Sequence, residues 1–103
     1  MYARTVAMHL KPNTMSEFRR RFDSSVLPLL RKQIGFQDAI LFSGETGTTD
    51  VHAMSLWDTQ AHADAYNTTG YPEVLRSLNS VLEGIPTVRS SDVLSSTLQP
   101  AHA

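Results

Sequence analysis

The chain contains no cysteine, which excludes a disulfide framework, a thiolate nucleophile, an iron–sulfur cluster and a cysteine zinc site. It also lacks an excess of charge: nine basic residues against ten acidic ones leave a formal charge of -1. Such a chain has no overall field to draw it to nucleic acid or to an anionic membrane. Long hydrophobic runs are missing too, and Met1-Tyr2-Ala3-Arg4 offers no hydrophobic leader core, so no membrane partner and a cytoplasmic location are expected. No phosphate-cradling glycine loop, His-Glu-x-x-His pair or nucleophile elbow occurs, and the chemistry must rest on scattered residues. What is present is 103 residues, 41% of them hydrophobic and 18% charged, enough for one packed core and too few for two conventional domains.

Residues 2–10 set Val6, Met8 and Leu10 on one side and stop at Lys11-Pro12-Asn13, the pattern of a strand and its turn. Thr14 followed by Glu17 matches a capping box, and Met15, Phe18, Phe22 and Val26 recur at helical spacing, predicting a helix over 14–32. Pro28 removes an amide from its last turns, so a kink or a broken final turn is expected there. Gly35 ends that helix, and 36–42 reads as a second strand with Phe36, Ile40 and Phe42 sharing one side. A polar, glycine-containing hairpin over 43–50 leads to a third strand over 51–57.

Asp58 or Thr59 can cap a second helix with Ala61, Ala65 and Tyr66 inward; Gly70 breaks it and Tyr71-Pro72-Glu73 restarts it. Val74, Leu75, Leu78, Val81 and Leu82 make the buried stripe of the second half. A last strand is expected over 86–98, with a bulge near Ser90-Ser91 because Val88 and Val93 fall on opposite parities. The order β-α-β-β-α-β with a split second helix is the ferredoxin-like α+β pattern, an antiparallel sheet with helices on one face. A single domain over 1–98 and a flexible tail over 99–103 follow. Strands two and three are apolar at both parities, with Ile40 beside Leu41 and Met54, Leu56 and Trp57 close together. The second sheet face must therefore also be covered. With all helices used, the cover expected is the sheet of a second copy, in a homodimer whose two sheets enclose a space.

Trp57 closes the third strand, and Tyr66 and Tyr71 follow within the split helix. One reading makes them core or interface aromatics with polar tips at the rim; the other makes them the wall of a cavity that stacks a flat organic ligand and offers it phenolic hydroxyls. His9 and His52 fall on neighbouring strands, His62 on the second helix and His102 in the tail. Without a third ligand or a nearby carboxylate the strand histidines make no metal site, whereas either imidazole suits proton abstraction at neutral pH. Arg19-Arg20-Arg21 reads as a solvated helix face.

The stretch from Ser55 through Trp57-Asp58-Thr59 to Tyr66 resembles the antibiotic biosynthesis monooxygenase-like family of dimeric α/β barrels. In that family the third strand ends in a Glu-x-Trp/Tyr pattern and runs through a capped helix to a His, with another His five residues later. Here Ser55 stands where the glutamate is common, Trp57 matches the aromatic, and Tyr66 and Tyr71 stand where the histidines are common. The resemblance implies a dimeric α/β barrel and an oxygenase that needs no cofactor, in which a hydroxyaromatic substrate is deprotonated and its anion meets dioxygen directly. It implies catalytic roles for Tyr66, Tyr71, His52 and His9 and substrate binding by Trp57 and Ser55. A haem-degrading relative would carry an axial histidine near Leu75 or Arg76 and an asparagine near Val6, and neither is present. Two functions stay open: a monooxygenase of a small phenolic or quinol-like compound, and a non-catalytic, small-molecule-binding or stress-related protein of the same fold.

Overall fold

The computed structural model describes residues 1–44 and 49–97; the middle of the expected hairpin and the expected tail lie outside the described residues. The elements run β1 (Tyr2–Leu10), α1 (Met15–Arg21), a π-helical turn (Phe22–Val26), α2 (Leu27–Arg31), β2 (Phe36–Ser43), β3 (Asp50–Trp57), α3 (Gln60–Thr69), α4 (Tyr71–Leu78) and β4 (Leu82–Asp92). The strands form one four-stranded sheet in the order β2-β3-β1-β4, every neighbour antiparallel. This is the ferredoxin-like α+β fold. No helix among the described residues is long and apolar enough to cross a membrane.

Strand register sorts the side chains. Tyr2, Arg4, Val6 and Met8 pair with Trp57, Ser55, Ala53 and Val51, and because side chains alternate across a strand these eight share the face beneath the helices. Phe18, Phe22, Val26, Leu30, Ala63, Tyr66, Val74 and Leu78 close over that face to form the core. The other parity, with Ala3, Thr5, Ala7, His52, Met54 and Leu56, belongs to the opposite face of the sheet. Ile40 and Phe42 join this second face opposite Met54 and His52, and they are 45% and 46% exposed.

Several local expectations are corrected by the register. Phe36 pairs with Trp57 while Asp38 pairs with Leu56, so Gln37 is an extra residue that turns Phe36 onto the core face, away from Ile40 and Phe42. Phe36 meets the Trp57 ring edge-on at 5.6 Å. β4 begins at Leu82 and ends at Asp92, ahead of the expected 86–98, and Val81 and Leu82 belong to the turn and strand instead of the helix stripe. Its irregularity lies opposite Ala7 to His9, where Thr87 and Glu83 are the partners, and not near Ser90. Gly84 takes φ +78 there, a backbone region open mainly to glycine, and Pro86 has no amide to offer the ladder.

The first helix also differs from expectation. Thr14 makes no capping bond; its hydroxyl donates to the Lys11 carbonyl at 2.7 Å, while Arg20 and Arg21 occupy the Glu17 carboxylate and hold it down to about 2. No capping box forms. Arg21 also donates to the Ser77 carbonyl at 3.0 Å, which ties the basic cluster to α4. Pro28 does not end the helix. It sits in the first turn of α2, and the missing amide is absorbed upstream, where the Leu27 amide bonds to the Phe22 carbonyl five residues back. In α3 Thr59 is the cap, accepting from the His62 amide at 3.2 Å. Ala63 faces inward with Tyr66, whereas Ala61 and Ala65 are exposed. At Gly70 the backbone stays helical. The helix still divides there as expected, α3 ending at Thr69 and α4 starting at Tyr71; a methyl group at Gly70 would lie 2.7 Å from the Tyr66 ring, so the glycine allows that close approach.

Candidate functional site

Between the helices and the sheet lies a cavity of about 40 Å³ lined by Arg4, Ser55, Tyr66 and Tyr71 among apolar side chains such as Val26, Leu30 and Val74. β1 supplies Arg4 and β3 supplies Ser55 directly opposite it. α3 and α4 supply the two tyrosines on either side of Gly70. Trp57 backs the site: its ring stacks on Tyr66 at 5.0 Å, and its Nε1–H donates to Ser55 Oγ at 2.9 Å. Because Ser55 accepts that bond, its own hydroxyl proton is free to turn elsewhere.

The structure thus brings together four of the six expected site residues, Ser55, Trp57, Tyr66 and Tyr71, and separates the other two. His52 lies on the opposite sheet face, stacked on Phe42 at 5.3 Å. His9 shares that face and pairs with Asp50 across the strand. A sheet of backbone stands between these imidazoles and the tyrosine cavity, so neither can take a proton from a ligand within it. His62 pairs with Asp58 at 2.7 Å on the outside of α3.

Arg4 is the residue that sequence reasoning missed. It is 3% exposed, with its guanidinium carbon 4.5 Å from the Tyr71 ring centre and 5.1 Å from that of Tyr66. Its Nη2 donates to Asn67 Oδ1 at 2.6 Å. The signal was parity: Arg4 sits in step with Val6, Met8 and Leu10, the side marked for burial. Burial lowers its pKa from the usual value, yet a guanidinium remains protonated under all ordinary conditions. Burial also pushes the Tyr66 hydroxyl up to about 12 against the opposing pull of Arg4, and raises that of Tyr71 for the same reason. Both phenols are therefore neutral at physiological pH. They can donate hydrogen bonds, and they cannot serve as bases.

A second, larger space of about 510 Å³ runs along the β2 edge between Met15, Arg19 and Leu27 on the helix side and Leu41 and Phe42 on the strand. Phe22 and Ala39 line both this cleft and the inner cavity, so they form the partition between them.

Fold and site together define a class: a ferredoxin-like domain with an aromatic cavity between helices and sheet. A family model for antibiotic biosynthesis monooxygenases matches residues 1–73, and the chain belongs to that family. Solved structures share its fold at low identity. A protein of unknown function from Nitrosomonas europaea is 18% identical, with 97% of this chain and 94% of that one covered and a TM-score of 0.78. SnoaB, a cofactor-independent oxygenase from Streptomyces nogalater, is 10% identical, with 93% and 95% covered and a TM-score of 0.77. A conserved protein from Methanosarcina mazei is 17% identical, with 88% and 91% covered and a TM-score of 0.71. No protein of curated function matches the sequence.

Proposed function

We propose that this protein is a cofactor-independent monooxygenase of a small phenolic or quinol-like compound, acting in the cavity of Arg4, Ser55, Tyr66 and Tyr71. The observation that carries the reading is the cavity's composition: two neutral phenols and a buried guanidinium on an otherwise apolar wall. That is the lining suited to holding a flat hydroxyaromatic ring and fixing its oxygen. Tyr66 and Tyr71 orient the substrate oxygen by hydrogen bonding, and Trp57 fixes Tyr66 from behind. With an anthrone-like substrate the balance is simple: dioxygen accepts four electrons from the ring methylene, one oxygen atom becomes the new carbonyl, and the other leaves as water with both methylene hydrogens. A cytoplasmic homodimer joined through the open sheet face, with Ile40, Phe42 and Met54 buried between copies, completes the proposal. Under it His9 and His52 belong to the dimer contact and not to the reaction.

A second reading, a non-catalytic binding domain, is favoured by one observation: the cavity of about 40 Å³ has room for only a few waters, when one water needs roughly 10–15 Å³. Under the oxygenase reading a substrate enters by displacing Phe22 toward the outer cleft. Oxygen uptake with an anthrone-like or quinol substrate and no added cofactor separates the two. We expect turnover by the wild type and at least a tenfold fall in Tyr66→Phe and Tyr71→Phe at little changed Tm, since each substitution keeps the ring and deletes one hydroxyl. Full activity in both variants would contradict the assigned roles. If no such substrate is turned over, the binding reading stands instead.

A further inference from the structure

Arg4 is buried and makes no ion pair among the described residues. Among the described residues the ion pairs are made by His9, Arg20, Arg21, His62 and Arg76, and Arg4 is in none of them. Its hydrogen-bond partner among the described residues, Asn67, is neutral and occupies one of five guanidinium donors. Its strand neighbours, Ser55 on β3 and Ser90 on β4, are neutral as well. Asp64, one turn before Asn67, is exposed and acts on Arg4 through its field without forming an ion pair. The two tyrosine rings present their π faces to the cation, which offsets part of its desolvation without neutralising it. A cation held this way in an apolar cavity weakens the fold, because a buried charge without a partner is costly. It attracts any anion small enough to enter.

We propose that Arg4 is the anion-binding residue of this cavity, and that the ligand is held there as an aromatic oxyanion and not as the neutral molecule. The inference deepens the oxygenase reading by naming the residue that holds the substrate's anion, and it rests on that reading only for the choice of site. It also locates the driving force for ionisation. Among the described residues no base lines the cavity, so a phenol or enol loses its proton to water because the guanidinium stabilises the anion left behind; an opposite charge favours the charged form.

The test is optical and needs no turnover. 4-Nitrophenol absorbs at longer wavelength as phenolate than as phenol, so its ionic form can be read while it is bound. At a pH where the free dye is mostly neutral, wild-type protein is expected to raise the phenolate band, corresponding to at least tenfold tighter binding of the anion. Arg4→Met should abolish that preference and keep or raise the Tm, because a well-packed apolar residue replaces an uncompensated charge. Should Arg4→Met fail to fold, Arg4→Gln removes the charge and keeps a polar tip beside Asn67; the same loss of the anion preference is expected. Benzoate as competitor distinguishes the source of the anion: displacement of the dye extends the site to aromatic carboxylates, and failure to displace restricts it to phenolates. Dye bound in the neutral form, an equal phenolate band in wild type and Arg4→Met, or no dye binding up to millimolar protein would each overturn the inference. The two readings fail separately. A phenolate band without oxygen uptake removes the oxygenase and keeps Arg4 as an anion site; oxygen uptake with a neutral bound dye does the reverse.

Discussion

Tyr66 packs between Trp57 at 5.0 Å and the Arg4 guanidinium at 5.1 Å, and its environment holds the phenol proton up to about 12, above the ordinary value of 10.0. The folded state therefore keeps a proton that the unfolded state releases between these two values. Its stabilising contribution is whole below pH 10 and is lost as pH rises through about 12. Two pH units correspond to at most roughly 3 kcal/mol. Urea midpoints of the wild type should fall more steeply across this window than those of Tyr66→Phe, and parallel slopes would contradict the burial argument. At this scale the sequence was half legible. Trp57 with Tyr66 and Tyr71 stood out because large polar-tipped aromatics cluster where apolar and polar surfaces meet. Arg4 does not stand out, because an arginine is ordinarily a surface residue. His9 and His52 were placed on neighbouring strands, but which face each strand turned to the helices was not decided from the sequence.

Helical periodicity showed the long first helix, yet the π-helical turn at Phe22–Val26 depends on how Pro28 and the core share one missing hydrogen bond, which no local spacing encodes. The turn has a consequence for access. It carries Phe22, the side chain standing between the inner cavity and the outer cleft of about 510 Å³. Phe22→Ala should join the two spaces, at a stability loss of roughly 3–5 kcal/mol for a buried phenylalanine. In the fraction that stays folded, KM for a bulky hydroxyaromatic should fall while that for a small one stays. An unchanged ratio of the two KM values would show that substrate does not enter past Phe22. The bulge expected near Ser90-Ser91 lies instead at Gly84 to Pro86, and β2 carries an extra residue at Gln37 that the sequence does not signal; register is set by pairing across the sheet, and side-chain parity alone does not fix where the ladder slips. The capping box failed similarly, since Arg20 and Arg21 compete for the Glu17 carboxylate.

For the whole molecule the most informative pattern was apolar residues at both parities of two strands, and the structure sorts them into a core face and an open face. Leu41 and Ile40 are adjacent in sequence and fall on opposite sides: Leu41 packs against the core, and Ile40 lies 45% exposed on the open face. Placing the reaction under the helices and the dimer contact on the open sheet face makes their substitutions diverge. Leu41→Asp should lower the Tm, because it sets a carboxylate against the apolar core in place of a partly buried leucine. The decisive measurement is light scattering combined with oxygen uptake on one sample of Ile40→Asp. The account predicts a folded monomer whose turnover stays within about twofold of wild type, as expected for a surface change remote from the site. A monomer that has lost turnover would place the chemistry between the two sheets, and so contradict the cavity of Arg4, Tyr66 and Tyr71 as the site.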